Sequence, residues 1–523
     1  MNDWSRLFPS VPAFLALAGL ACEVAWLAAK RRGRLVGHPA ATFAAWIWRP
    51  WTLWALFNLF NRWRWDQGFN DRRTFPFYAS LWNPDETFAE AWIRIAQAPG
   101  LVWLGAVAAL LAAMILLLAW IVRRPPVRVA PALVGLYLLA IGLHLSLACL
   151  PNGARDQPDR PGSLLAAWNN PGSTMLYAQP FIQDSRDYFS RFREIQPKLR
   201  RTIHGLSHPP GASLSLYWIG KAMGVKGRDI RSPENRLRYS IGLAAFGALN
   251  VFVLFGLARR LFDARAGFLA ATLWATAPAV AAYATFAQDS TYAVFFNLAL
   301  LLGWETATAS KRAGLWGFAL GVDFFALVLL NYSWCLATSI FFLFALATGV
   351  RARWRLREYA GRLVFPLAVM AALAGVFLAY HRLDYWAMYR YAAQYVSQWY
   401  PFTGPYQWIL ALLGGQIDLW LMLGGVACSA FAAALFRFRK SDFGEPRTIY
   451  LFIVLGIFAL PLLFGPNCLK MEAARCWIWV ASLPLAFAAD RLLRMPSRLF
   501  AYGAPAVSAL TYAGLRLFLD FSV

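Results

Sequence analysis

Residues 101–124 read LVWLGAVAALLAAMILLLAWIVRR. No charge interrupts the stretch from Leu101 to Val122, and Arg123 and Arg124 close it. At 1.5 Å per residue a helix of this length reaches about 33 Å, enough to cross a hydrocarbon core about 30 Å thick. Similar apolar segments recur on either side, over 11–29, 129–149, 238–258, 266–285, 291–309, 313–333, 335–350, 363–381, 407–436, 448–464, 473–490 and 499–518. The segment at 407–436 is long, with a break expected at Gly414–Gly415. A further aromatic stretch, Ala44 to Phe60, carries Arg49 and several tryptophans and is expected to lie along the interface rather than span.

Composition agrees. Of 523 residues, 59% are hydrophobic and 15% charged, where soluble domains sit near 45–50% and about 25%. A soluble globular enzyme is excluded. The expected fold is an all-α polytopic membrane protein of about 12–14 transmembrane helices. Its parts are an N-terminal membrane or interfacial extension over 1–128, a core over 129–436 that includes a large helical loop over 150–237, and C-terminal helices over 437–523.

The net charge of +24 comes from 50 Lys and Arg against 26 Asp and Glu. In a soluble protein that excess would point to nucleic acid. Here the cations gather at Arg123/Arg124, Arg259/Arg260, Lys311/Arg312, Arg351 to Arg362, Arg437 to Lys440 and Arg491 to Arg498, at every second junction between apolar segments. The positive-inside rule assigns such clusters to the cytoplasm, with anionic lipid headgroups as their partners and no nucleic acid. The segments 150–237, 286–290, 382–406 and 465–472 then lie on the opposite face. The basic run after 11–29 favours an uncleaved anchor over a signal peptide. Cys22, Cys149, Cys335, Cys428, Cys468 and Cys476 have no metal-ligand spacing and read as small core residues.

Nearly all non-membrane mass lies in the 150–237 loop, longer than a connector between packed helices needs. It holds Asp184-Ser185-Arg186-Asp187 and, further on, His204-Gly205-Leu206-Ser207-His208-Pro209-Pro210-Gly211. On a helix the two carboxylates share one face, and an ionised Asp can take the proton of an acceptor hydroxyl; an ordinary solvated pair beside Arg186 is the blander reading. Two prolines fix the backbone after His208 and place an imidazole at the membrane surface. His204 and His208 could bind phosphate when protonated or, with the aspartates, a divalent cation such as Mg or Mn when neutral; the alternative is turn packing. Asp289, in Gln288-Asp289-Ser290-Thr291-Tyr292, occupies a short turn on the same face. Lys470, Glu472 and Arg475 occupy another, where the two cations could clamp a phosphate or simply snorkel. Asp323, in the middle of an apolar segment, is a functional candidate because an intramembrane carboxylate is costly.

The order of these motifs resembles bacterial membrane glycosyltransferases of the GT-C superfamily, relatives of the protein mannosyltransferases and aminoarabinose transferases. An acidic pair in a first large outer loop, a His-Pro-Pro turn opening a helix, a Gln-Asp-x-x-Tyr turn and a Glu-x-x-Arg-x-Trp helix start follow one another across roughly 129–490. The resemblance implies a polyprenyl-phosphate sugar donor, an acceptor that sequence does not name, and Asp184 or Asp187 as general base, with weight on Asp184. It also implies an inverting displacement in which Arg475, Lys470 and His208 neutralise the departing phosphate, in a bacterial cytoplasmic membrane with the site on the extracytoplasmic face. The chain departs from the family in having Asp-Ser-Arg-Asp well into the loop instead of an Asp-Glu pair near its start, and in its 1–128 extension. A transporter or flippase for a lipid-linked glycan is the competing reading; it would rest on Asp323 and a broken helix instead.

Overall fold

Proline and aspartate set where many of the helices begin. Pro210, Pro233 and Pro278 each occupy a first helical turn, where the missing N–H costs nothing. Asp184 and Asp263 cap their helices by accepting the backbone N–H three residues on. In this computed structural model residues 11–31, 38–66, 100–123, 129–150, 175–199, 203–225, 232–285, 287–309, 311–399, 404–464 and 478–518 are described. Among them every regular element is helical.

The N-terminal part consists of α1 (Val11–Arg31), α2 (Pro39–Asp66), α3 (Gly100–Arg123) and α4 (Val129–Ala148). The 150–237 loop forms α5 (Ser185–Ile195), the single turn α6 (Ile203–Ser207) and α7 (Pro210–Ala222). Then come α8 (Pro233–Leu261), α9 (Ala264–Thr276), α10 (Pro278–Tyr283), α11 (Asp289–Thr308), α12 (Ala313–Leu330) and α13 (Trp334–Ala352). The chain continues through α14 (Leu356–Tyr380), α15 (Tyr385–Trp399), α16 (Pro405–Met422), α17 (Gly425–Leu435), α18 (Pro446–Phe464), α19 (Ser482–Leu493) and α20 (Leu499–Phe518).

Among the described residues, seven of these helices (α3, α4, α8, α12, α13, α14 and α18) are long and apolar enough to cross a membrane, or eight if the bent pair α16–α17 is one span. The wider set of apolar segments in the sequence includes helices that are cut short: the segment 266–285 breaks at Ala277–Pro278 into α9 and α10. The break in 407–436 is not at Gly414–Gly415, which stay helical within α16. It falls at Leu423–Gly424, where the chain turns by 108°. Gly424 has φ 95° and its missing Cβ leaves room for Ser508, so backbone sterics favour glycine there.

Residues 44–60, expected to lie along the interface, do not fall in any of the described helices long and apolar enough to span. They belong to α2, which pairs antiparallel with α1 and packs on α16, α17 and α20. Trp54 is buried and donates Nε1–H to Asp418 Oδ1 of α16 at 3.1 Å; Gly425 and Gly503 pack directly on Pro50 and Phe43. Thus α2 is a core helix, and one continuous apolar core joins it to α4, α8–α13 and α18–α20.

The basic clusters converge at one end. Arg260 pairs with Glu305 at 2.5 Å, Arg362 donates to the Ala307 carbonyl at 3.1 Å and Arg447 to the Leu261 carbonyl at 3.5 Å. The last two contacts bring a cation to a helix C-terminal carbonyl, the favourable sense of the helix dipole. At the opposite end a second, smaller core forms around Ile182, Tyr188, Phe189, Phe192, Ile195, Leu206, Leu214 and Met388. It binds α5, α7 and α15 into one layer, with Leu329 and Phe377 at the ends of α12 and α14 packed against it.

Candidate functional site

The His-Pro-Pro turn is held by side-chain and backbone contacts that only two rigid elements could supply. Pro209 is extended (φ −60°, ψ 160°) and Pro210 starts α7. A Cβ on Gly211 would lie 2.5 Å from the Leu329 carbonyl oxygen, so glycine allows the turn to rest on the end of α12. Buried Gln288 then joins this turn to the start of α11. Its Nε2 donates to the Ala212 carbonyl at 2.5 Å and to Ser215 Oγ at 3.0 Å, and its Oε1 accepts from Tyr292 at 3.3 Å. Tyr292 in turn stacks on the His208 ring, centroids 5.5 Å apart and planes at 21°. Ser207 Oγ lies 3.1 Å from His208 Nδ1. The His-Pro-Pro and Gln-Asp-x-x-Tyr motifs, separate in sequence, are thus one structure, with half-exposed His208 and Asp289 at its rim.

Below it a buried polar ladder fixes α11 against α8. Asn250 donates to the Gly247 and Ser290 carbonyls at 3.0 and 3.1 Å, and Asn297 donates to Asn250 Oδ1 at 2.8 Å. In an apolar surround such bonds cannot be exchanged for water and therefore set the register of the two helices.

The acidic pair lies on α5. Exposed Asp184 is its N-cap, with Oδ1 accepting the Asp187 N–H at 2.8 Å. Asp187 Oδ2 accepts from Arg191 at 3.2 Å. Asp184 thus lies just outside the helix, not on a helical face with Asp187; one of its oxygens serves the cap and Asp187 pairs with Arg191. Ser185 Oγ accepts Trp218 Nε1–H at 3.0 Å, which pins the start of α5 to α7. Trp218 is eight residues beyond Pro210, so about 12 Å of helix separates the anchor of the carboxylates from that of His208.

His204 lies in α6, and its side chain falls outside what is described. Lys470, Glu472 and Arg475 lie outside the described residues altogether. Among the described residues no three His, Cys, Asp or Glu side chains converge on a metal site. Asp323 is buried in α12 with neither oxygen hydrogen-bonded among the described residues.

No family model and no curated protein matches the chain. Its structure is loosely similar to two solved structures. One is ArnT from Cupriavidus metallidurans in the apo state, 14% identical, TM-score 0.40, over 70% of this chain and 60% of that one. The other is the Archaeoglobus fulgidus oligosaccharyltransferase in complex with zinc and sulfate, 14% identical, TM-score 0.42, over 74% and 53%. The chain therefore spans less than two thirds of either protein, and both are loose likenesses of fold.

Two supports of the site had no clear mark in the sequence. His381, just past the outer end of α14, is buried between Phe377 (centroids 4.5 Å) and Phe189 of α5 (5.2 Å), with Nδ1 3.2 Å from Ser190 Oγ. Burial, and then the Arg186 charge, hold its pKa below the usual histidine value. It docks the carboxylate-bearing helix on a membrane span. Arg516, buried in α20, donates to the Leu150 and Ala148 carbonyls at 3.1 and 3.2 Å, capping α4 where the outer loop departs. A lone basic residue near the end of an apolar segment was the only signal for it.

Proposed function

We propose that the protein is a membrane glycosyltransferase that moves a sugar from a polyprenyl-phosphate donor to a lipid, glycan or protein acceptor at the extracytoplasmic face of a bacterial cytoplasmic membrane. The observation that carries this reading is the joining of His208 and the Gln288–Tyr292 turn into one polar rim, in the same outer layer as Asp184 and Asp187 and at the end opposite the basic clusters. A polyprenyl tail dissolves in the bilayer while its phosphate and sugar stay at the surface, so the reacting carbon reaches this rim without leaving the membrane.

In the reaction the Asp184 oxygen not used by the helix cap accepts the acceptor hydroxyl's proton as that oxygen attacks the anomeric carbon. The bond to the phosphate breaks on the opposite side, and the configuration inverts. His208 donates a hydrogen bond or a positive charge to the departing phosphate, with Arg475 and Lys470 as its cationic partners. Asp187, already paired with Arg191, balances charge beside the base. Asp289, Glu472 and His204 bind the sugar or the acceptor.

The competing reading, a transporter or flippase for a lipid-linked glycan, draws support from the 108° break between α16 and α17 and from the buried carboxylates Asp418 and Asp323. Native mass spectrometry of the protein released from mild detergent separates the two. A retained polyprenyl monophosphate or its sugar conjugate is expected. A polyprenyl diphosphate glycan would favour transport, and no retained isoprenoid even after adding a lipid extract would contradict the transferase.

A further inference from the structure

The basic end of the molecule has no part in the site, and one patch of it is short of negative charge. There α17 and α19 pack side by side and end at one level; Arg437 follows α17, while Arg491 and Arg494 close α19. Two membrane-crossing helices fix that level. α18 starts at Pro446, and Arg447 in its first turn donates to the Leu261 carbonyl at the end of α8. Phe262, next to Leu261, meets Phe487 of α19 edge-on with centroids 5.0 Å apart, and Phe438, next to Arg437, meets the same ring at 6.0 Å. The patch therefore lies where α8 and α18 leave the hydrocarbon.

Its carboxylates are already engaged. Asp490 accepts Nε and Nη2 of Arg494, each at 2.9 Å, and Glu445 pairs with Arg447. Asp442 accepts the backbone N–H of Arg439 at 2.8 Å, and Asp263 caps α9. Arg437, Arg439, Lys440, Arg491 and Arg498 make no ion pair among the described residues. Arg491 is the most constrained of them, since its Nε is buried and makes no hydrogen bond among those residues. Burial, and then the like charge of Arg437, lower its pKa below the usual arginine value, with Asp490 pulling the other way. The C-terminal dipoles of α17 and α19 offset part of this repulsion, but they supply no acceptor for Arg491.

Beside these cations the surface is aromatic. Phe436, the neighbour of Arg437, is 91% exposed. Phe452 is exposed on α18, a helix apolar enough to span, and stacks on exposed Phe443 with centroids 5.2 Å apart and planes at 24°. Phe438 touches both rings and links them to Phe487. We propose that this patch binds an anionic phospholipid, its phosphodiester between Arg437 and Arg491 and its acyl chains against Phe436, Phe443 and Phe452. A soluble anion would satisfy the arginines and leave the rings in water; a lipid covers both. The headgroup must carry net negative charge, because a choline or ethanolamine group would bring one more cation into a cluster that already has too many.

The test uses the full chain in mild detergent, titrated with phosphatidylglycerol or with phosphatidylcholine of matched chains and read by native mass spectrometry and thermal unfolding. Phosphatidylglycerol should be retained about tenfold or more in preference, as expected for charged hydrogen bonds to the phosphate, and should raise the unfolding temperature. Arg437→Gln with Arg491→Gln should bring the ratio of the two lipids close to one. In phosphatidylcholine that variant should unfold at the parent's temperature or above, since a repulsion has been removed. Arg437→Gln alone alters an exposed side chain and should show part of the same loss, so the result does not hang on the double variant folding. Lys311→Gln with Arg357→Gln removes as many cations, just before α12 and in the first turn of α14, and should keep the preference. Equal retention of both lipids by the parent would overturn the proposal. So would an undiminished preference in the Arg437 and Arg491 double variant, an equal loss in the Lys311 and Arg357 variant, or equal stabilisation by glycerophosphoglycerol, which has the charge and no acyl chains.

Discussion

Replacing Gln288 by alanine tests whether the His-Pro-Pro turn and the start of α11 are one unit. Gln288 is 6% exposed, and its amide bridges Ala212, Ser215 and Tyr292. The change removes two donated hydrogen bonds and one accepted. The Ala212 carbonyl still accepts from Ser215 Oγ at 2.7 Å, so no acceptor is stripped bare there. With each bond contributing about 0.5–1.5 kcal/mol net, the loss should be about 2–3 kcal/mol. Unfolding of the purified protein in mixed micelles, titrated with SDS, measures it. Specificity comes from the cycle with Ser215→Ala: because Gln288 and Ser215 share a bond, the double variant should lose less than the sum of the singles, by about 0.5–1.5 kcal/mol. Sugar transfer should fall with Gln288→Ala although Gln288 touches no reacting atom, since His208 loses the element that positions Tyr292 beneath it. If the two single effects add within about 0.3–0.5 kcal/mol, or the variant keeps full stability, the two motifs are not joined as described.

Further outcomes follow from other supports. His381, with its pKa held below the usual value near 6.5, resists protonation when docked; its contribution is present above that value and lost as pH falls below it. Limited proteolysis of the outer layer should therefore speed up between about pH 7 and pH 5, and His381→Gln should remove that dependence. Asp323→Leu replaces a buried carboxylate lacking a partner among the described residues by an apolar side chain and should be neutral or stabilising by thermal unfolding. Under the transferase reading it leaves transfer intact, whereas loss of glycan movement would support transport. Gly424→Ala puts a Cβ onto Ser508 at φ 95° and should cost about 1–3 kcal/mol of stability; an unchanged unfolding temperature would mean that the break lies elsewhere.

The membrane character, the basic end and the outer motifs were legible because each leaves a local trace: uninterrupted apolar runs, arginines at alternate junctions, prolines and aspartates at helix starts. The break after Leu423 was misplaced because a glycine pair looks weaker than a single glycine, while Gly424 is the residue that takes a positive φ and packs closely on Ser508 of α20. The stretch 44–60 reads as interfacial because Trp and Arg lower its apolarity; what sequence could not show is that Trp54 finds Asp418, a partner 364 positions away. Likewise His381 is an ordinary polar residue in sequence, and the motif that contains Gln288 says nothing of its bridging role. Their roles arise only when helices distant along the chain bring Ser215 and Ser190 beside them. Sequence brought Asp184 and Asp187 to one helix start, but it could not tell that Asp184 would stand outside the helix as its N-cap, with one oxygen spent on capping α5.

That cap makes Asp184→Asn an informative variant, since asparagine caps a helix about as well as aspartate and the substitution removes charge without removing the cap. The decisive measurement is single-turnover sugar release from a synthetic polyprenyl-phosphate sugar by the purified protein in nanodiscs, for the parent protein, Asp184→Asn and Asp187→Asn. The account predicts transfer by the parent and a rate about 10²–10⁴-fold lower for Asp184→Asn, with an unchanged unfolding temperature and a smaller loss for Asp187→Asn. Equal rates for the parent and both variants, or no release from any polyprenyl-phosphate sugar by a folded parent, would contradict it.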